Sequence, residues 1–178
     1  MRKLLNSELK RLTPDEFKKA DKIPVIIVLD NIRSQHNVGA VFRTSDAFLI
    51  EAICLCGITA TPPNAEIHKA ALGAEDTVDW KYYKTTSEAI SELKEAGYSI
   101  ITVEQAENST PLEKFHAHST KKYAIVFGNE VKGVDQEIVD ISDKCIELAQ
   151  YGTKHSINVS VIAGIVIWEL FKQLKLER

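Results

Sequence analysis

The sequence has little of several features that would mark a specialised class of protein. Its 178 residues include three cysteines, five prolines and eight glycines, which excludes disulfide-rich, collagen-like and low-complexity chains. The longest apolar runs, residues 23–29 and 161–168, fall well short of the ~18 residues that cross a bilayer. Residues 1–10 lack the apolar segment of a secretory signal. Together with the odd number of cysteines, these absences favour a reduced, cytoplasmic protein without membrane contact.

Charge is distributed unevenly along the chain. The net charge is −3 at pH 7, which by itself does not favour a free-standing nucleic-acid binder. Residues 1–22, however, carry seven basic and four acidic side chains, a local charge of +3 against −6 elsewhere. We interpret residues 1–22 as a basic N-terminal helical extension, which either contacts phosphate or is an ordinary solvated helix. Residues 23–178 contain no Gly-, Ser- or Pro-rich linker and are predicted to form a single domain.

Apolar runs typical of buried strands alternate with segments typical of helices. We predict strands over residues 25–29, 51–56, 98–103, 123–127 and 145–148. Helices are predicted over residues 37–48, with Asn37 as the N-cap, and over 65–72, 85–97, 135–139 and 159–170. This alternation is typical of an α/β fold with a mainly parallel sheet flanked by helices.

Three loops beside the predicted strands are rich in Asn, Gly and charged residues. They cover residues 30–43, 128–133 and 150–158. Because ligands of parallel sheets bind beyond the carboxyl ends of the strands, these loops are the expected functional site. Their positions alone do not specify the chemistry.

Several common chemistries are absent from these loops. No G-x-G-x-x-G follows the first strand, and no G-x-S-x-G elbow is present. Gly128 and Gly133 have P-loop spacing, but Val134 and Asp135 replace the phosphate-binding lysine and the magnesium-binding hydroxyl. The histidines and cysteines lack zinc-ligand spacing, so no metal is expected. The remaining Asn, Arg, Glu and Ser side chains suit a reaction in which the protein mainly positions reactive substrates.

Three segments resemble the motifs of one known family. Residues 31–47 contain an N-x-G-x-x-x-R element that begins at Asn37, residues 124–134 contain Gly128-Asn129-Glu130, and residues 146–169 contain Ser156-Ile157-Asn158. Their content and order are similar to the three motifs of the SpoU (TrmH-like) RNA methyltransferases, over residues 24–170. Ala149 departs from the pattern, because the family usually has a loop-stiffening proline there.

The resemblance implies the SPOUT fold, in which a parallel sheet carries a C-terminal trefoil knot. It also implies a homodimer that acts on RNA, and S-adenosyl-L-methionine as the cofactor. The positions that match the family's cofactor contacts are Glu104, Gln105, Gly128, Leu148, Ser156 and Ile157.

The implied reaction is methyl transfer to a ribose 2′-hydroxyl of tRNA or rRNA. A base methyltransferase on the same fold and a catalytically idle RNA-binding factor remain alternatives. Because the guanidinium of an arginine has a pKa above about 12, Arg43 is expected to grip phosphate and steer the ribose while deprotonation accompanies methyl transfer. The other implied catalytic residues are Asn37, Glu130, Ser156 and Asn158. The implied phosphate contacts are Arg33, Lys132 and Lys154.

Overall fold

The computed structural model describes residues 1–177, whose seven strands form one sheet. The strands are β1 (Ile23–Asp30), β2 (Ile50–Cys56), β3 (Asp79–Tyr83), β4 (Tyr98–Val103), β5 (Thr110–Pro111), β6 (Lys122–Phe127) and β7 (Lys144–Glu147). Their order is β3-β2-β1-β6-β4-β7-β5, and every pair of neighbouring strands in this part of the chain is parallel. The predicted α/β fold with a parallel sheet is confirmed.

Strand β1 shows why both faces of the sheet are buried. Val25, Ile27 and Leu29 belong to one apolar cluster, whereas Ile26 and Val28 belong to a second. Because successive strand residues point to opposite faces, a continuous apolar run fills a core on each side.

Helices supply the other half of each core. They are α1 (Pro14–Lys19), α2 (Gln35–Ala47), α3 (Ala65–Ala71), α4 (Ala74–Thr77), α5 (Thr86–Glu95), α6 (Gln136–Ile141) and α7 (Val159–Phe171). Helices α1 to α4 and α7 contribute to the first cluster, and α5 and α6 contribute to the second. Helix α7 continues into a π-helical turn over Lys172–Leu176.

Three elements are absent from the sequence predictions. Strand β3 lies at one edge of the sheet with four of its five residues exposed, so it lacks the buried apolar run of the predicted strands. Strand β5 has two residues and helix α4 has four, which is too short for either element to produce a periodic pattern.

The first 22 residues are helical only in part. They contain a 3₁₀ turn over Asn6–Glu8 and the six-residue helix α1, which begins with a capping box formed by Thr13 and Glu16. Phe17 of α1 is buried in the first apolar cluster and joins this segment to the rest of the molecule. The domain boundary after residue 22 stays a prediction, as does the trefoil knot.

Candidate active site

A cavity of about 470 Å³ opens at the carboxyl ends of three neighbouring strands. Val103 ends β4, Phe127 ends β6 and Glu147 ends β7, and all three residues line the cavity. The loops that follow these strands form its walls. This is the end of the strands at which a parallel sheet binds ligands. Of the three predicted loops, 128–133 and 150–158 contribute to the cavity wall, and 30–43 does not.

The cavity wall combines apolar side chains with polar ones. Phe127 and Ile162 lie among carboxylates, amides and backbone groups of the surrounding loops. The wall includes all six residues that the family resemblance assigns to the cofactor, namely Glu104, Gln105, Gly128, Leu148, Ser156 and Ile157. The structure brings these residues together, and their role as cofactor contacts stays a prediction.

The loop after β6 packs too closely for any residue but glycine at position 128. A Cβ atom there would lie 2.1 Å from the carbonyl carbon of Gly133 and 2.1 Å from the backbone nitrogen of Val134. Asn129 and Gly133 exchange backbone hydrogen bonds of 3.0 and 2.8 Å, and Gly133 has a φ of +72°. The Asn129 side chain also donates to the carbonyl of Asn31 at 2.6 Å, which ties this loop to the loop after β1. Asn129 lies within the second motif but was not predicted as a site residue.

Glu104 and Gln105 join neighbouring loops around the cavity. The Glu104 carboxylate accepts from the N–H groups of Val134 at 3.0 Å and Gln105 at 2.8 Å. The Gln105 amide donates to the carbonyl of His155 at 2.9 Å. Both side chains therefore fix the loop backbone that forms the cavity wall.

Helix α2 begins earlier than predicted. Its N-cap is Ser34, whose hydroxyl accepts from the N–H of Asn37 at 3.3 Å, so the prediction of Asn37 as the N-cap is wrong. The side-chain oxygen of an N-cap residue accepts from the backbone N–H two or three residues later, and Asn37 is three residues after Ser34. Because its side chain does not cap the helix, the buried Asn37 can make contacts with other loops.

Glu130 joins the second motif to the first. Its carboxylate accepts hydrogen bonds from the N–H groups of Arg33 at 3.0 Å and Ser34 at 3.1 Å and from the Asn37 amide at 3.0 Å. Partial burial raises the pKa of Glu130, but these bonds and one from its own backbone N–H outweigh it, so its pKa lies below the ordinary value. Glu130 is therefore held as a carboxylate at the N-terminus of α2, where negative charge is stabilised.

Asn37 is also joined to the third motif. Its Oδ1 accepts from the Asn158 amide at 3.2 Å and lies 3.4 Å from the hydroxyl of Ser160. Asn158 is the N-cap of α7, and its Oδ1 accepts from the N–H of Ser160 at 2.8 Å and from the hydroxyl of Ser160 at 2.6 Å. Ser160 lies in the third motif but was not predicted as a site residue. Glu130, Asn37 and Asn158 thus form one hydrogen-bonded series across all three motifs.

Arg43 does not line the cavity. It lies on α2 six residues after Asn37, which places it about 9 Å along the helix axis and about 120° around it. The side chain is exposed and makes no hydrogen bond or ion pair within residues 1–177. The alternative of an ion pair with Asp46 is therefore not observed, since Asp46 accepts from the hydroxyl of Thr77 at 2.6 Å.

The three predicted phosphate contacts occupy different positions around the cavity. Lys132 lines it, whereas Arg33 lines an adjacent cavity of about 310 Å³. Lys154 is exposed in the loop between β7 and α7 and lines neither cavity. All three side chains are accessible to a large polyanion.

The parallel sheet, the cavity at its carboxyl edge and the three joined motifs define one class of protein. The SpoU rRNA methylase family matches residues 24–168, and the chain belongs to that family.

Relatives with named activities are similar to this chain in sequence. The chain is 31% identical over 159 residues to the 23S rRNA (guanosine-2′-O-)-methyltransferase RlmB of Neisseria meningitidis, covering 89% of this chain and 62% of that protein. It is 31% identical over 173 residues to the tRNA (guanosine(18)-2′-O)-methyltransferase of Aquifex aeolicus, covering 96% of this chain and 78% of the relative. The chain thus spans less than two thirds of the Neisseria protein.

Solved structures share the fold. The A. aeolicus TrmH/SpoU tRNA modifying enzyme superposes with a TM-score of 0.80 at 26% identity, over 92% of this chain and 83% of that one. The AdoMet-bound rRNA methyltransferase from Sinorhizobium meliloti gives a TM-score of 0.79 at 23% identity, over 92% of this chain and 62% of that one.

Within residues 1–177 no group of three or more His, Cys, Asp or Glu side chains is arranged to hold a metal ion. No helix of the same range has the length and apolar character to cross a membrane.

Proposed function

We propose that this chain is an S-adenosyl-L-methionine-dependent RNA methyltransferase that transfers a methyl group to a ribose 2′-hydroxyl of tRNA or rRNA. The observation that carries the proposal is the hydrogen-bonded series Glu130–Asn37–Asn158, which unites three distant motifs beside one cavity. The names of the Neisseria and Aquifex relatives, guanosine 2′-O-methyltransferases of rRNA and tRNA, support it.

The cavity suits the proposed cofactor. Its volume of about 470 Å³ lies within the range of small-molecule sites, about 300–1,000 Å³. Phe127, Leu148 and Ile157 offer apolar surface for a flat base, and the carboxylates of Glu130 and Glu147 offer negative charge to a cationic ligand. The bound cofactor supplies an electrophilic methyl group on a positively charged sulfur. Within this proposal, Glu104 acts mainly by shaping the loop, because its carboxylate is already bonded to two backbone N–H groups.

The remaining work of the chain is to orient the 2′-hydroxyl. Asn158 and Ser156 line the cavity and carry neutral groups that can donate to and accept from a ribose. Asn37 is buried and does not line the cavity, and it holds the Asn158 amide by a 3.2 Å bond. Glu130 acts as a positioning residue, since it holds the Asn37 amide by a 3.0 Å bond. Arg43, which is free of ion pairs within residues 1–177, is proposed to grip an RNA phosphate.

We further propose a homodimer formed through α7, in a cytoplasmic setting. Val161, Ile165 and Trp168 are 51%, 37% and 45% exposed and repeat at i, i+4 and i+7, so they form an apolar stripe that a second copy would cover. Phe48 packs on Trp168 with ring centroids 5.4 Å apart, so the end of α2 adjoins the stripe. A second copy would therefore lie near Arg43, five residues before Phe48. The free thiols of the three cysteines support the cytoplasmic setting.

The test is methyl transfer from tritiated S-adenosylmethionine to bulk RNA taken from a strain that lacks this protein. Digestion to nucleosides and mass spectrometry should find the label as a 2′-O-methylnucleoside. Arg43→Ala should lower kcat/KM by about 100-fold or more, because misplacing the reacting groups costs that much. The matched control Lys121→Ala removes an exposed cation that precedes β6, at the end of the strands opposite the cavity. It should leave the rate unchanged. Label on a base, no transfer at all, or an unaffected Arg43→Ala rate would each contradict the proposal.

A further inference from the structure

A second cavity, of about 310 Å³, lies beside the cofactor cavity. Asn129, Val131, Lys132 and Gly133 line both cavities, so the loop after β6 is a wall shared between them. The other residues around the second cavity are Asp30, Asn31, Arg33, Ile58 and Asp135. A polymer with one unit at the mouth of the cofactor cavity would thus meet this second cavity with the next unit.

The accessible side chains of the second cavity are of two kinds. Ile58 and Val131 are 66% and 73% exposed and offer apolar surface around the cavity. Arg33 and Lys132 are exposed cations that form no ion pair within residues 1–177. An apolar surface beside two cations matches the two parts of a nucleotide, the flat base and the phosphate.

The carboxylates around the cavity do not cancel these cations. Asp30 is 1% exposed and accepts from the hydroxyl of Thr86 at 2.5 Å and from the Asn31 amide at 2.9 Å, so its carboxylate is not accessible to pair with the exposed cations directly. Asp135 is exposed and is one carboxylate against two cations. The net charge facing solvent therefore favours an anion.

The walls of the second cavity are fixed before any ligand binds. The Asn31 side chain accepts from the N–H of Ile58 at 3.1 Å, and its carbonyl accepts from the Asn129 amide at 2.6 Å. Gly57 makes this possible, since a Cβ atom at that position would lie 2.0 Å from the Oδ1 of Asn31. A preformed wall reduces the ordering cost of binding.

We propose that the second cavity is a subsite for the nucleotide adjacent in the RNA chain to the one that is methylated. Arg33 and Lys132 hold its phosphate, and its base lies against Ile58 and Val131. This inference rests on the proposed function, because it takes RNA as the substrate of the neighbouring cavity.

The first test places a negative charge in the subsite without touching any residue of the cofactor cavity. Ile58→Glu should raise the KM for bulk RNA about tenfold or more, since a carboxylate there repels phosphate and pairs with the two cations. The dissociation constant for S-adenosylhomocysteine should stay unchanged. The matched control Ile141→Glu, at a 40% exposed position of α6 that lines neither cavity, should leave both constants unchanged.

The second test detects the subsite without relying on catalysis. The ¹⁵N-labelled protein, saturated with S-adenosylhomocysteine, is titrated with guanosine 5′-monophosphate and separately with inorganic phosphate. The nucleotide should shift the amide signals of Asn31, Ile58 and Lys132, and phosphate should shift them less.

The outcomes separate this inference from the proposed function. Methyl transfer to RNA with equal KM values for Ile58→Glu and Ile141→Glu would overturn the subsite alone. Nucleotide shifts located elsewhere, or absent, would overturn it as well. A wild-type protein that transfers no methyl group but shows the expected shifts would overturn the proposed reaction and keep the nucleotide subsite.

Discussion

Glu130→Gln tests the hydrogen-bonded series across the three motifs most directly. In the wild-type protein one carboxylate oxygen accepts from Ser34 and Asn37 and the other accepts from Arg33. A glutamine amide has one oxygen and one NH₂ group, so in either orientation a donor faces a donor. At least one hydrogen bond to a charged acceptor is lost, together with the favourable charge at the N-terminus of α2.

The expected loss of stability follows from those contacts. A hydrogen bond to a charged group contributes about 1.5–3 kcal/mol, and the exposure of Glu130 to solvent reduces this to about 1–2 kcal/mol. For a chain of this length, that corresponds to a decrease in Tm of about 2–8 °C at pH 7. Thermal unfolding of the cofactor-free protein, followed by circular dichroism at one fixed protein concentration, measures it.

The pH dependence of the stability loss tests more sharply whether the charge of Glu130 causes it. Because the pKa of folded Glu130 lies below its unfolded value, its contribution is present in full above about pH 4.3 and is lost as the pH falls through the folded pKa. The difference in Tm between wild type and Glu130→Gln should thus be largest near pH 7 and shrink under strongly acidic conditions. The control Glu107→Gln, at an exposed loop carboxylate without a hydrogen bond in residues 1–177, should melt like wild type. Equal Tm values at pH 7, or a difference independent of pH, would refute the reasoning.

Two further predictions concern the loops and the thiols. Gly128→Ala should destabilise the protein by about 1–3 kcal/mol and weaken S-adenosylhomocysteine binding in calorimetry, because its Cβ would meet backbone at 2.1 Å. Gly152→Ala, with no heavy atom within 4 Å of the added Cβ, is the control, and an equal effect of both would contradict the packing argument. Burial raises the pKa of Cys54 to about 12 and that of Cys56 further, so iodoacetamide at pH 8 should modify the half-buried Cys145 first. Peptide mass spectrometry locates the modified cysteine, and modification of Cys54 in the folded protein would contradict this prediction.

The fold could be predicted where burial imposes a pattern. Strand β4, Tyr98–Val103, has the predicted bounds at both ends, because it is apolar and is followed by a polar loop. Strand β3 could not be predicted in the same way, since Trp80 and Tyr82 are 36% and 47% exposed at the sheet edge. Trp80 and Tyr82 alternate with Asp79 and Lys81, and this is the signal that could have identified the strand that pairs with β2.

The site could be predicted at the level of segments and less well at the level of side chains. The three motifs indicated which loops meet; the second and third line the cavity, and the first is joined to them by hydrogen bonds. The motifs could not show that Ser34 rather than Asn37 caps α2, because both residue types are common caps. The tie from Asn129 to Asn31 was also missed, since a contact between distant loops depends on the tertiary fold.

Among the predicted catalytic residues, Glu130 is the one whose carboxylate is the obvious candidate for a general base that takes the proton of a ribose hydroxyl. Its hydrogen bonds argue against that role, because a carboxylate with a lowered pKa and three donors on its oxygens has little tendency to take a proton. The same bonds suit it to hold Asn37 rigidly, and Asn37 in turn meets Asn158. Under the proposed function, the chain therefore contributes mainly orientation and charge. In the proposed reaction the ribose oxygen would take the methyl group from the sulfonium of S-adenosyl-L-methionine, with S-adenosylhomocysteine as the leaving group. The hydroxyl proton would pass to solvent water as the carbon–oxygen bond forms, which is the order expected when the methyl group, and not the hydroxyl, is the activated partner.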